Sequence, residues 1–332
     1  MNKLLRPRLI VPGVLSIAIV AALLAFGNLK AMVALILSFP HLYLLWFFLL
    51  MVLYEAIRGL QWHRLLRALD VRAPVRAQAF AFVLSEFARN LPIGSYFQNY
   101  LLQASSGADF GRTSAATTVI LVTEIAFCLG GVMILGLGSW SPLLRPILGG
   151  GLVVVLLVTW VLLHLHRSPR APRWVRTHKH LRRIAEEVRR FREGAATLDR
   201  PKILIEQALL GAIYLLIATA GLHVILRGLD PQGAAIGFTQ TLAVYLFTLL
   251  SALILPVPEA GGVGALLAFG ISRDVAITAM LLNRVLSVIA AIVIATLVTM
   301  MMPDQWRAVL HMRRETPRRQ EGGAHERGDV VR

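Results

Sequence analysis

Four side chains of this 332-residue chain combine ionisable chemistry with apolar surroundings: Arg89, Glu124, Glu259 and Arg284. A charged group in an apolar span costs at least about 2.5 kcal/mol on insertion scales, so it is rare and turns toward a partner or a water-filled cavity. Guanidinium groups match phosphate oxygens, which makes Arg89 and Arg284 candidates for holding a phosphate, with Glu124 as counter-ion or proton carrier. The alternative role for each is structural, as a buried pair that locks helices or an arginine whose stem carries its head to an interface. Signs of catalysis are few: there is no HExxH, Walker lysine, GxGxxG or Cys/His ligand spacing. His41, His63 and His223 are isolated, His164, His166, His178 and His180 lie among arginines, and Cys128 sits in an apolar run as a small hydrophobe. No metal, no cofactor and no enzymatic activity of the chain itself are expected.

The elements that must hold these groups are membrane helices. The chain is 57% hydrophobic and 16% charged, against about 45–50% and 25% in soluble proteins, and its mean hydropathy is +0.68. Windows of about 20 apolar residues predict full spans near 9–29, 41–60, 113–137, 143–165, 203–226 and 276–301. The first could pass for a signal peptide, but it lacks a small-residue cleavage site and reads as a retained span. Two more apolar stretches, 78–104 and 238–271, are interrupted by Leu91-Pro92-Ile93-Gly94 and by the run Leu255 to Gly264, which holds Pro256, Pro258, Glu259, Gly261 and Gly262. Proline lacks an N–H and glycine holds a helix poorly, so each interruption predicts a discontinuity at membrane depth.

Basic residues set the sidedness. The net charge of +16 is concentrated at the ends of apolar segments, which points to anionic headgroups rather than nucleic acid. The segment 167–202 carries twelve Arg and Lys against four acidic residues, a net of +8. Arg58, Arg64, Arg67, Arg72 and Arg76 mark a second cytoplasmic loop, and Arg313, Arg314, Arg318 and Arg319 a basic tail. Parity then makes 78–104 a re-entrant hairpin from the cytoplasmic side and 238–271 one from the opposite side. The predicted fold is all-α and polytopic: six full spans plus two broken re-entrant hairpins arranged as an inverted repeat, with both termini cytoplasmic. Residues 1–302 form the transmembrane domain and 303–332 a disordered tail. Within 167–202, Leu181, Ile184, Val188 and Phe191 recur at helical spacing, which predicts an amphipathic surface helix that either binds anionic lipid or serves as a solvated connector.

Paired broken helices in corresponding positions of two halves point to a transporter's midplane site; two independent packing kinks are the alternative. The free N–H groups of such helix ends could take phosphate at Gly94, Gly261, Gly262 and Gly264, or those glycines could simply allow close packing.

With both interruptions in view, the chain from about Leu42 to Met301 resembles the transmembrane region of lysylphosphatidylglycerol synthases and the flippase-like membrane proteins built on it. The first motif is matched by Asn90-Leu91-Pro92-Ile93-Gly94 and Leu101-Leu102, the second by Pro256, Pro258, Gly261, Gly262, Gly264 and Arg284. Ser95 and Gln98 stand where the family commonly has an acidic residue and an arginine, Leu267 stands where it has a glutamate, and Glu259-Ala260 looks inserted. The resemblance implies an inner-membrane lipid flippase that moves an anionic phospholipid or polyprenyl-phosphate-linked headgroup. Its expected contact residues are Arg89, Asn90, Pro92, Gly94, Gln98, Glu124, Pro256, Pro258, Glu259, Gly261, Gly262, Gly264 and Arg284. In aminoacylating members a soluble domain follows the membrane region; this chain ends at Arg332, so lysine transfer would need a separate cytoplasmic enzyme partner. The rival readings are a non-transporting scaffold that docks such an enzyme through 167–202, or a subunit of a lipid-modifying enzyme.

Overall fold

The computed structural model describes residues 25–88, 94–136, 179–229, 236–252 and 257–304, with Val153 and Leu157 between the second and third of these. Among the described residues there are helices and no strands. The expected spans 9–29 and 143–165 lie mostly or almost wholly outside them, as does the tail from 305 onward.

Among the described residues, four helices are long and apolar enough to cross a membrane: α2 (His41–Ala68), α5 (Phe110–Gly136), α7 (Pro201–Leu229) and α10 (Arg273–Met301). At 1.5 Å per residue each runs to about 40 Å, against a hydrocarbon core of about 30 Å. They expose large apolar side chains that water would not tolerate as a continuous face, such as Leu42, Leu45, Trp46 and Leu49 on α2 and Ile289, Ile292, Val293 and Leu297 on α10. The protein is thus a multi-pass, all-helical membrane protein.

A short helix that hydropathy did not predict, α1 (Leu29–Leu37), precedes α2. Its start is set by Asn28, whose Oδ1 accepts the Ala31 N–H at 3.4 Å and whose own N–H donates to Asp274 Oδ1 at 2.9 Å.

Both interrupted stretches form helix pairs. The first is α3 (Val75–Ala88) and α4 (Phe97–Ser106), with a 3₁₀ turn over Gly94–Tyr96 leading into α4; the second is α8 (Phe238–Ser251) and α9 (Glu259–Ala268). The partners within each pair pack on one another. Each pair has a first arm of 14 residues and a second of 10, or about 21 and 15 Å, too short to cross alone.

Two boundaries differ from expectation. The first arm of the second pair ends at Ser251, where the Ala252 N–H turns back to the Thr248 and Leu249 carbonyls, rather than running on to Leu255. The helix then resumes at Glu259 behind an N-cap at Pro258, so Gly261, Gly262 and Gly264 are helical and not part of the discontinuity. Glycine costs a helix only about 1 kcal/mol per residue, and close packing here outweighs it.

The chain divides into two compact units, 1–58 with 120–161 and 205–290, and 59–119 with 162–204 and 291–332; the division falls inside α2, α5, α7 and α10. The first unit is built on Phe47, Tyr214, Leu222, Ile225, Val244, Leu266 and Ile277, all buried. Helices α2 and α7 approach closely where Gly221 meets Phe47 and Met51, and α5 meets α8 where Leu246 fills the space over Gly131. The second unit buries Trp62, Leu65, Leu66, Phe80, Leu102 and Leu198. There the basic helix α6 (Lys179–Leu198) lies against the first turns of α5. Gly111 leaves room for the Glu187 carbonyl, Gly194 for Ala115, and Arg190 pairs with Asp109 at 2.9 Å.

Candidate functional site

The first unit brings together two of the four ionisable residues. Glu259 is the first residue of α9, and Arg284 lies three turns into α10. Helices α9 and α10 run antiparallel where they meet: Gly262 faces Met280, and one turn away on each helix Glu259 faces Arg284. A side chain on Gly262 would strike the tip of Met280, and one on Gly261 would strike Ser251 of α8. The two glycines therefore seat α9 between α8 and α10 and set the spacing across which the ion pair forms.

The pair is asymmetric. Glu259 Oε1 lies 3.5 Å from Arg284 Nε, with 10% of the Glu259 side chain exposed and 41% of the Arg284 side chain. The carboxylate is thus buried at a helix N-terminus, where the backbone dipole favours negative charge. The Arg284 side chain, by contrast, keeps two-fifths of its surface open. The N–H groups of Ala260, Gly261 and Gly262 donate to the Val257 and Pro258 carbonyls, so the anion chemistry of this corner rests on the Arg284 side chain. Gly264 has open space where a Cβ would stand, and Leu267 is partly exposed on the same helix.

In the second unit, Gln98 and Asn99 at the start of α4 are buried and bonded. Thr117 Oγ1 on α5 accepts from Gln98 Nε2 and from Asn99 Nδ2, both at 2.9 Å, and donates to Asn99 Oδ1 at 3.1 Å. Ser85 Oγ on α3 reaches Gln98 Oε1 at 3.4 Å, and Tyr96 Oη meets Thr118 Oγ1 at 2.9 Å. This network ties both arms of the first hairpin to α5, and the Gln98 amide is engaged inside it. Gly94 is buried at the start of the 3₁₀ turn. Arg89, Asn90, Pro92 and Pro256 lie outside the described residues.

Glu124 is buried in the middle of α5. A further buried cation is Arg58. Its place at the edge of an apolar window predicts a loop, but α2 continues to Ala68 and buries it. Its guanidinium carbon sits 5.5 Å from the ring centres of both Tyr54 and Tyr214, an arrangement in which two π-faces replace part of the lost hydration. The signal was present in Tyr54 and Arg58, four residues apart and so on one helical face. Among the described residues, no three His, Cys, Asp or Glu side chains gather as a metal site.

The family model for the lysylphosphatidylglycerol synthase TM region matches residues 13–295. Comparison with curated proteins gives no match. The family match takes in both helix pairs, the Glu259–Arg284 contact, all of α5 and most of α10. The chain belongs to the lysylphosphatidylglycerol synthase transmembrane-region family.

Proposed function

We propose that this protein is an inner-membrane lipid flippase that moves a lipid whose headgroup carries a phosphate, as anionic phospholipids and polyprenyl phosphates do, with both chain termini cytoplasmic. The observation that carries the proposal is Arg284. It is a cation inside a membrane-length helix, paired with a buried carboxylate while its own side chain stays partly exposed. Such a group is retained against an insertion cost of about 2.5–3.5 kcal/mol where it meets a charged substrate. Membership of a family named for a lipid-modifying membrane region supports the lipid as substrate.

The hairpins support a transporter architecture in a second way. Each pairs a 14-residue arm with a 10-residue arm and feeds a membrane-length helix. Such recurrence is what an internal repeat produces, and the placement of arginines in the loops supports reading it as inverted and re-entrant. A scaffold that docks an enzyme through 167–202 is the second reading. The packing of α6 on α5 through Gly111, Gly194 and the Arg190–Asp109 pair favours an integral role for that segment.

The test is headgroup movement in proteoliposomes. Arg284→Ala is expected to abolish transbilayer movement of phosphate-bearing lipids, and full movement in that variant would refute the assignment.

A further inference from the structure

We propose that Glu259 is a specificity-determining residue of the Arg284 site, and that the headgroup it admits carries an ammonium beside its phosphate, as in phosphoethanolamine lipids. The inference rests on the lipid-transport reading and narrows its substrate. Arg284 alone would favour any phosphate, and more so the greater its charge. Arg284 with Glu259 at 3.5 Å is a pair of zero net charge, and a purely anionic headgroup gains little from it.

The asymmetry of burial turns this into selection. A phosphate that reaches Arg284, the more exposed partner, weakens its hold on Glu259, the buried one. A buried carboxylate deprived of its cation is strongly unfavourable. A headgroup with one phosphate and one ammonium a few atoms apart avoids that penalty, because its anionic oxygens accept from Arg284 while its ammonium donates to Glu259. Every charge keeps a partner throughout the exchange. The short α9, seated on Gly261 and Gly262 against α8 and α10, fixes the carboxylate in position for this. Specificity by leaving the wrong ligand's site charge unpaired is worth more than specificity by shape alone.

The experiment uses the full chain in liposomes with acyl-labelled phosphatidylethanolamine, phosphatidylglycerol and a polyprenyl monophosphate. Transbilayer movement is followed by an impermeant quencher. Wild type is expected to move the phosphoethanolamine lipid about ten- to a hundred-fold faster than the other two, the span of one charge-assisted hydrogen bond. Glu259→Gln is expected to remove the preference, and Glu259→Asp to retain it. An unchanged preference in Glu259→Gln, or a wild type that favours phosphatidylglycerol or the polyprenyl phosphate, would overturn the proposal.

Movement of all three lipids at equal rates, still dependent on Arg284, would sink this inference and leave the flippase intact. Binding of phosphoethanolamine over glycerol phosphate by the purified protein, lost in Glu259→Gln but with no lipid moved, would do the reverse. Neither movement nor selective binding would overturn both.

Discussion

Thr117 Oγ1 alone makes three hydrogen bonds to the second arm of the first helix pair, so Thr117→Val is a sharp structural perturbation. The exchange keeps shape and removes the hydroxyl that joins Gln98 and Asn99 of α4 to α5 through three hydrogen bonds of 2.9, 2.9 and 3.1 Å. Hydrogen bonds between membrane helices average about 0.6 kcal/mol and reach about 1.7, so three sum to about 2 kcal/mol. Asn99, with no exposed surface, and Gln98, at 6%, would then hold amide groups short of partners, and a buried polar group left unsatisfied costs about 1–3 kcal/mol. These two counts overlap, and the expected loss is about 2–4 kcal/mol. Denaturant unfolding of the purified protein in a fixed detergent measures it. Thr117→Ser, which keeps the oxygen, should stay within about 1 kcal/mol of wild type, the worth of one buried methyl group. Adding Asn99→Leu to Thr117→Val should recover part of the loss, because it removes the stranded amide. A Thr117→Val protein within about 0.5 kcal/mol of wild type would refute the view that this network fastens the hairpin.

Two further predictions separate close packing from other roles. Gly261→Ala places a methyl group 2.6 Å from Ser251 Cβ, so α8 and α9 must part at a cost of about 1–3 kcal/mol, whereas Gly264→Ala meets open space and should be neutral or stabilising by up to about 1 kcal/mol; the same unfolding assay orders them. At the α6 contact, Arg190→Ala removes a partly exposed pair and should cost no more than about 1 kcal/mol. Gly111→Ala drives a methyl group to 2.6 Å from the Glu187 backbone carbonyl and should cost more, with faster proteolysis within α6.

The legible part of this fold is what membrane physics writes into single residues. The four membrane-length helices follow from apolar windows, and the division of each interrupted stretch into two helices follows from its prolines. Where the reading missed, the deciding interaction was tertiary. Gly261 and Gly262 look like helix breakers in isolation but are helical, because Ser251 and Met280 occupy the space that their missing side chains leave. Arg58 looks like a loop charge at the edge of an apolar window, yet Tyr54 and Tyr214 take it into the interior.

The surface helix shows the same limit. Its apolar stripe, with Val188 and Phe191, predicted amphipathicity, but Val188 is exposed and the contact with α5 runs through Glu187, Arg190, Gly194 and neighbouring small residues. Hydropathy gives those residues little weight. Of the candidate site, Arg284 and Glu259 were visible separately as intramembrane charges. Their pairing joins residues 25 positions apart on different helices, so no spacing rule could state it; it needed the turn of the chain between α9 and α10.

The central claim is that Arg284 handles a lipid phosphate, and its most direct test is transbilayer movement in liposomes that hold wild type or Arg284→Ala at equal density, read by an impermeant quencher of labelled headgroups. The account predicts movement in wild type and a loss to the protein-free rate in Arg284→Ala, with the variant still folded by its unfolding curve. Equal movement in the two, or none in wild type for any phosphate-bearing lipid, would contradict it.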